Sequence, residues 1–298
     1  MLISGVEIED TFAEAFGMVA TRVLITAVSP TWARHAAETM TGFATSVIGC
    51  GIEAGIERTL APEETPDARP GVSALLFGMS QKDLAKRVET RVGQCVLTCP
   101  TTAVFSGMDG EARIPLGKNL RYFGDGFQIS KRIGDKRYWR VPVMDGEFLC
   151  EETVGCVKAV GGGNLLVLAA SQTQALAACE AAIEAMRRLS NVIMPFPGGI
   201  VRSGSKVGSK YKAVVASTND AYCPTLRGLT PSRLAGDIEA VLEIVIDGLT
   251  ADDVRNAMRA GMHAICRLGA AEGIRRISAG NYGGKLGQFQ FPLREIMA

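Results

Sequence analysis

Histidine is scarce in this sequence, and its scarcity limits the chemistry available to the protein. The 298 residues include two histidines, His35 and His263, and both lie in segments whose pattern predicts helices. Imidazole is the commonest metal ligand and the usual base of a Ser-His-Asp triad. A histidine-rich metal site or a histidine-dependent triad can barely be built from two such residues, and we expect no bound metal.

The chain also lacks a basic excess, a long apolar run and a paired cysteine motif. Lysine and arginine number 32 against 31 acidic residues, so nucleic acid is not an expected partner. No apolar run reaches the ~18 residues of a membrane helix, and the acidic start is unlike a signal peptide. The eight cysteines are scattered without a CxxC motif. We therefore expect a cytoplasmic protein with reduced thiols and no membrane partner.

Two segments 170 residues apart carry the same pattern. Residues 75–88 and 245–258 each contain a short apolar strand, a glycine and a helix start. Ser80 and Thr250 stand where a helix N-cap belongs, and each has an aspartate three residues later. Two matching helix starts at a fixed offset indicate an internal repeat.

Each half of the chain then follows the order strand, helix, strand, strand, helix, strand, which is the ferredoxin-like order. We predict an α+β protein of two ferredoxin-like (split βαβ) lobes related by this repeat. The first lobe is expected over residues 1–150, with a hairpin extension, and the second over residues 151–298. The predicted elements span 22–28, 30–41, 44–50, 72–78, 81–93 and 95–100 in the first half, and 164–170, 172–188, 191–202, 240–247, 251–268 and 273–279 in the second.

A glutamate interrupts the strongly apolar strand predicted at 240–247. Glu243 shares one face of that strand with Val241, Val245 and Asp247. If this face is solvated, Glu243 is an ordinary surface residue beside Asp247. If it faces a cleft between lobes or subunits, desolvation raises its pKa and keeps it protonated as a proton donor. The pattern alone leaves both interpretations open.

Three loops of the second half have the composition of ligand-binding loops. They cover residues 195–210, 217–225 and 278–288, and they mix glycine or proline with amide, hydroxyl and lysine groups. Binding residues are concentrated on such loops. Turn-forming loops without a ligand can have the same composition, so this alternative also stays open.

These loops resemble those of a known family, formylmethanofuran–tetrahydromethanopterin N-formyltransferase. Three other motifs carry the same resemblance: Gly5–Phe16 (GVEIEDTFAEAF), Glu63–Asp67 (EETPD) and Tyr122–Gln128 (YFGDGFQ). The motifs are long, and they occur in the family's order from residue 5 to about residue 290. The balanced charge favours the bacterial branch of the family over the acidic archaeal members.

The resemblance implies an enzyme that moves a formyl group between a tetrahydromethanopterin-type pterin and the amine of a methanofuran-type carrier in one-carbon metabolism. It implies no bound cofactor, a homo-oligomer that is tetrameric in archaea, and a hydrolase complex as partner in bacteria. Glu243 matches the family's proposed catalytic glutamate. The residues that fall in motifs resembling its substrate cleft are Pro197, Gly198, Ser205, Lys206, Asn219, Asp220, Tyr222, Cys223 and Asn281.

A non-enzymatic role is the alternative to this interpretation. Ferredoxin-like repeats also serve as ligand-sensing or assembly modules, because a fold does not determine a function. The chain would then be a ligand-binding or assembly subunit of a one-carbon enzyme complex. The presence of Glu243 within its motif favours the enzyme.

Overall fold

The computed structural model describes residues 1–204, 206–214 and 216–298. The first half contains β1 (Leu2–Ile3), β2 (Val6–Ile8), β3 (Phe12–Thr26), α1 (Pro30–Thr41), α2 (Val47–Cys50), β4 (Glu53–Leu60), β5 (Gly71–Gly78), α3 (Gln81–Arg91), β6 (Ala103–Ser106), β7 (Ala112–Pro115), α4 (Gly117–Leu120), β8 (Ile129–Ile133), β9 (Lys136–Val143) and β10 (Gly146–Glu151). The second half contains β11 (Thr153–Ala169), α5 (Gln172–Met186), β12 (Val192–Ile193), β13 (Lys206–Val207), β14 (Ala216–Ser217), β15 (Ala240–Gly248), α6 (Ala251–Leu268), β16 (Ile274–Ser278), β17 (Phe289–Pro292) and α7 (Leu293–Met297).

Two antiparallel strand groups with the same spatial order form the body of the molecule. In the first lobe the order is β4-β5-β3-β6. In the second lobe it is β12-β15-β11-β16. Helices α1 and α3 pack on the first group, and α5 and α6 pack on the second. The two lobes therefore repeat one arrangement of four strands and two helices.

The long strands β3 and β11 join the lobes. Phe16–Ala20 of β3 pairs antiparallel with Val157–Gly161 of β11, which connects fifteen of the described strands into one sheet. Because β3 extends past this crossing, its first residues lie in the second lobe, where β17 pairs with Phe12–Ala15. The strand β2 also pairs with β16 of that lobe. The start of the chain is thus built into the second lobe.

The helix starts predicted from the repeat are confirmed. The Ser80 hydroxyl accepts a hydrogen bond from the Asp83 N–H at the start of α3, and Thr250 accepts one from the Asp253 N–H at the start of α6. Asp253 also accepts the Thr250 N–H, which completes a capping box. Each cap satisfies backbone donors that a helix end leaves free.

Apolar packing explains the positions of the helices. Each lobe has its own buried cluster between its helices and its sheet, centred on Leu76 and Leu84 in the first lobe and on Leu165 and Met258 in the second. A smaller cluster, which includes Phe77 and Ile193, lies where the lobes meet. Among the described residues, no helix is both long and apolar enough to cross a membrane.

Three of the predicted strands are wrong. Residues 44–50 instead contain α2, because the Ser46 side chain caps the Ile48 N–H. Residues 95 and 96 instead end a π-helical turn that extends α3 and in which Val92 and Val96 are buried at helical spacing; residues 97–100 form turns, and the strand follows at 103–106. Residues 191–202 keep two paired strand residues before a proline-glycine turn of 3-10 helix at 197–199.

Candidate active site

A cavity of about 620 Å³ lies between the two lobes. Strands β3 and β11, which cross at the lobe junction, form part of its wall, together with β15, the start of α2 and three loops of the second half. A smaller cavity lined by Glu243, Leu166 and Cys223 adjoins it. The polar or charged residues of the main wall are Glu14, Ser46, Glu53, Asn164, Lys206, Asn219, Asp220, Tyr222, Arg233, Glu243, Asn281 and Tyr282.

Glu243 faces this cavity from the middle of β15. Its backbone is fixed on both sides, by pairing with Leu166 of β11 and by two hydrogen bonds to Val201 of 2.7 and 2.8 Å. Leu166 and Val245 are its apolar neighbours on the wall. Burial raises the pKa of the Glu243 carboxyl to about 7. The side chain is therefore in a cleft and can carry a proton near neutral pH.

The opposite part of the wall carries an ion pair. Lys206 Nζ lies 2.7 Å from Asp220 Oδ1, and this hydrogen bond lowers the pKa of Asp220. Tyr222 lies two residues further on, and its hydroxyl is 3.4 Å from the Ser278 hydroxyl on β16. Polar groups from β13 and from the loop after β14 thus lie on the cavity wall.

Glu14 holds the loop that closes the far side of the cavity. Its carboxylate accepts backbone N–H bonds from Tyr282, Gly284, Leu286 and Gly287 at 2.6 to 2.9 Å. Burial alone would raise the pKa of Glu14, but the four donors outweigh it and lower that pKa to about 2. Glu14 is therefore ionised at neutral pH, and its charge is used to fix the loop.

Asn281 belongs to the same loop, and its side chain anchors the loop to β3. The amide Nδ2 donates to the Thr11 hydroxyl and to the Phe12 carbonyl, both at 3.1 Å. The neighbouring Gly280 N–H donates to Asn164 Oδ1 at 2.5 Å. The amide of Asn281 is thus engaged within the protein, and its side chain shapes the wall.

The structure brings most of the sequence-predicted site residues together. Six of them line the main cavity: Lys206, Asn219, Asp220, Tyr222, Glu243 and Asn281. Cys223 lines the smaller cavity, with its sulfur 3.5 Å from the Thr218 hydroxyl. Pro197 and Gly198 line neither cavity, whereas their neighbour Phe196 reaches the main one. Ser205 lies outside the described residues.

Sequence reasoning missed four charged residues of this region. Glu14 and Glu53 come from the first half of the chain, and only the crossing of β3 brings Glu14 beside a loop of the second half. Asp247 is fully buried beneath the cavity. Arg233 is an exposed wall residue, and its backbone N–H donates to the Ala221 carbonyl. An acidic residue within an apolar strand is the signal that could have identified Glu14.

Within the part of the chain that the structure describes, no cluster of three or more His, Cys, Asp or Glu side chains could hold a metal ion. The cavity instead combines Glu243, an acid with a pKa of about 7, with polar loop groups and apolar wall residues. That arrangement suits acid-base group transfer between two bound molecules.

Two family models match the chain in succession. The model of formylmethanofuran-tetrahydromethanopterin formyltransferase matches residues 1–143, and the model of that enzyme's proximal lobe matches residues 146–296. The chain belongs to the formylmethanofuran–tetrahydromethanopterin formyltransferase family. The family predicted from the sequence motifs is confirmed.

Relatives from bacteria and archaea match over the full length. A formylmethanofuran–tetrahydromethanopterin formyltransferase of Methylococcus capsulatus is 73% identical, with 100% of both chains covered. A crystal structure of the formyltransferase/hydrolase complex from Methylorubrum extorquens with methylofuran matches with a TM-score of 0.98 and 53% identity, covering 100% of this chain and 99% of that one. The Methanosarcina barkeri formyltransferase matches with a TM-score of 0.93 and 47% identity, covering 99% and 100%.

Proposed function

We propose that this formyltransferase moves a formyl group between the N5 nitrogen of a tetrahydromethanopterin-type pterin and the amine of a methanofuran-type carrier. Both carriers are substrates, and we expect no resident cofactor. The observation that carries the proposal is the placement of Glu243, an acid with a pKa of about 7, in a cavity between two lobes. The family names and the full-length similarity support the identity of the two carriers.

The reaction is acyl transfer between two nitrogens. The lone pair of the incoming amine attacks the formyl carbon, and the carbonyl oxygen becomes an oxyanion in a tetrahedral intermediate. The carbon–nitrogen bond to the first carrier then breaks, the attacking nitrogen loses a proton and the leaving nitrogen gains one. Such a reaction requires orientation of two substrates, a donor for the oxyanion and a proton source.

Glu243 is placed to serve as that donor. In its protonated form it hydrogen-bonds the oxyanion or gives its proton to the leaving nitrogen. The backbone N–H groups of Gly199 and Ile200 already donate within their own turn, to Phe196 and Pro197. Because these two amides are engaged, we assign no oxyanion contact to them.

The wall residues serve as the binding surface. Lys206, Asp220 and Tyr222 present charged and hydroxyl groups from the loops at the entrance, and Asn219 lies beside them. Pro197, Gly198, Ser205, Cys223 and Asn281 belong to the same proposed substrate site or its supporting loops. Leu166, Phe16 and Phe196 provide apolar surface for the ring systems of the carriers.

A transfer assay on the isolated chain tests this function. The purified protein is mixed with a formyl-pterin donor and a furfurylamine carrier, without added metal, and the change in pterin absorbance is followed. Transfer by the chain alone supports the enzyme. A folded chain that binds both carriers without transfer would instead support the alternative of a non-catalytic binding or assembly subunit.

We also propose the finer features of organisation that the sequence suggested. Each lobe is a ferredoxin-like unit, with the boundary near residue 150 apart from the start of the chain, which is built into the second lobe; the shared strand order of the two lobes supports this. A homo-oligomer, expected as a tetramer, is supported by exposed apolar side chains on and beside β8, among them Phe127 and Ile133. The proposed association with a hydrolase complex rests on the similarity to the Methylorubrum extorquens complex. The proposed cytoplasmic location rests on the eight unpaired cysteines.

A further inference from the structure

Two carboxyl groups from different lobes meet beside the cavity, and Glu53 is part of its wall. Glu53 is the first residue of β4, and Asp247 lies near the end of β15. Asp247 is 0% exposed and Glu53 is 8% exposed, and their side chains are within hydrogen-bonding reach of each other. Neither residue is used in the mechanism proposed above.

The surroundings of three of the four carboxyl oxygens indicate that this pair holds a proton. Glu53 Oε1 accepts the Val47 N–H at 3.1 Å, and Asp247 Oδ1 accepts the Gly162 N–H at 3.0 Å. Asp247 Oδ2 is enclosed and has no donor among the described residues. Two ionised carboxylates can only accept hydrogen bonds, so a contact between them in a buried place requires a proton on one of them.

In the part of the chain that the structure describes, the cross-strand neighbours of the pair are apolar. Phe77 on β5 lies opposite Glu53, Ile193 on β12 lies opposite Asp247, and Met18 on β3 packs on the same junction. Burial, followed by the charge of Glu53, raises the pKa of Asp247 well above its usual range.

Other titratable groups lie further along the cavity. Glu243 is on the same strand face, about 13 Å from Asp247 along the strand. The remaining ones on the wall are Glu14 on β3, Lys206 on β13, Asp220 and Tyr222 on the loop after β14, Arg233 on the loop before β15, and Tyr282 on the loop after β16.

The pair connects two parts of the cavity wall. On the first-lobe side, Glu53 holds the N–H of Val47 at the start of α2, and Val47 lines the cavity. On the second-lobe side, Asp247 holds the N–H of Gly162 in β11, and Gly162 also lines the cavity. We propose that Glu53 and Asp247 share one proton and act as a positioning pair that holds these two walls together across the lobe junction.

Loss of the shared proton would change substrate binding more than chemistry. Two adjacent carboxylates without counter-charges repel each other, so the walls around the cavity would separate as the pH rises. KM for the carriers should therefore increase on the alkaline side. The effect on kcat should be smaller, because Glu243 stays on its own paired strand.

Asp247→Asn is the matched variant for this pair. In this variant Oδ1 can still accept the Gly162 N–H. The amide Nδ2 takes the place of Asp247 Oδ2, which has no donor, and it donates to Glu53 at every pH. The variant carries the same charge as the singly protonated pair, and it cannot lose the bridging hydrogen. Glu53→Gln makes the same replacement from the other side, and Asp247→Ala removes the bridge.

The experiment measures KM, kcat and melting temperature from pH 5 to pH 9 for these variants. We expect the wild-type KM to rise about tenfold toward alkaline pH, on the scale of one pKa unit of coupling, and the two amide variants to show a flat KM. Asp247→Ala should have a raised KM at every pH. The titration of Glu243 stays visible in the kcat of all variants and serves as the internal reference.

The KM measurement rests on the proposed function, because it requires formyl transfer. The melting temperature does not require transfer, so it tests the carboxyl pair separately. The wild type should lose stability relative to Asp247→Asn as the pH rises from about 4, because the folded pKa of Asp247 is raised. That result supports the pair even if no transfer is detected. Parallel melting and KM curves for the wild type and both amide variants would overturn the proposal, as would failure of both to fold.

Discussion

At the scale of single residues, the donors around each buried acid determine its role. Glu14 accepts four backbone N–H bonds and is held ionised, whereas Glu243 has apolar neighbours and a pKa near 7. Asp247 lies against another carboxyl, and burial raises its pKa well above the usual range. We therefore propose three different tasks for three carboxyl groups around one cavity, which are fixing a loop, supplying a proton and joining the lobes.

Glu14→Gln should loosen the loop at 280–288. A glutamine offers one oxygen where the carboxylate offers two, so two of the four N–H donors lose their acceptor, at a cost of about 2 kcal/mol in unfolding free energy. KM should also rise, since this loop lines the cavity. Denaturant unfolding and transfer kinetics measure both effects, with the exposed Glu63→Gln as the control.

The pH dependence of the Glu14 variant has a definite sign. The folded pKa of Glu14 is lowered to about 2, so its stabilising contribution is present above pH 4.5 and is lost as the pH falls toward 2. The stability difference between wild type and Glu14→Gln should therefore shrink between pH 5 and pH 3. A difference that stays constant over this range would contradict the assigned role.

Cys223→Ala should keep its transfer activity. The Cys223 sulfur contacts the Thr218 hydroxyl and the Asn219 carbonyl, and neither is a base that could produce a thiolate. We expect kcat within about twofold of the wild type, since direct transfer needs no covalent intermediate. A loss of activity together with a trapped thioester in the wild type would favour covalent catalysis instead.

Residue types and spacing located the site only in part. Glu243 was recognisable as a carboxyl within an apolar strand, but the pattern could not distinguish a solvated face from a cleft. The structure shows that Asp247 on the same face is fully buried, which a solvated face would not allow. Most of the loop residues of the site were predicted from the family resemblance. Local patterns could not identify them, because these loops meet at the cavity only when the whole chain has folded.

At the scale of elements, the sequence predicted helices reliably where a capping residue or a proline marks the helix start. The predicted helices at 30–41 and 251–268 match α1 and α6 in both bounds. The failures are segments in which a cap, a proline-glycine turn or helical burial ends or replaces the predicted strand. Residues 95–100 illustrate this, because Val92 and Val96 are buried at helical spacing and the helix continues through them.

Thr250→Ala should destabilise the second lobe through its longest helix. The Thr250 hydroxyl accepts the Asp253 N–H and also donates to the Asp253 carboxylate. Removal of such a cap costs about 1 kcal/mol, which thermal or denaturant unfolding can resolve. Thr90→Ala, at an exposed position in the last turn of α3, is the matched control and should be neutral or slightly stabilising. Equal stability of the two variants would argue against the cap.

At the scale of the whole molecule, a polar network of Arg22, Glu57 and Asn191 joins the two lobes. Arg22 donates to both oxygens of Glu57 at 2.8 and 2.7 Å, and to Asn191 Oδ1 at 2.7 Å. Glu57 also accepts the Asn191 N–H at 2.7 Å. The network connects strands of the first lobe to the segment before β12 in the second, so we expect the lobes to unfold as one unit.

Glu57→Ala tests this coupling. The change leaves the Arg22 guanidinium and the Asn191 N–H without their buried acceptor, which should cost about 3–5 kcal/mol. Glu184→Ala, which breaks an exposed pair with Arg188, is the control and should cost about 0–1 kcal/mol. A second unfolding transition in Glu57→Ala would indicate separated lobes. A stability change as small as that of the control would contradict the role of the network.

The most direct test of the central claim is the pH dependence of formyl transfer by the wild type and by Glu243→Gln, measured by pterin absorbance. The wild-type kcat should fall as the pH rises through about 7, because the protonated form of Glu243 is then lost. Glu243→Gln should fold and bind both carriers, with kcat reduced by about 10²-fold or more. Near-wild-type turnover in this variant would contradict the assignment of Glu243 as the acid.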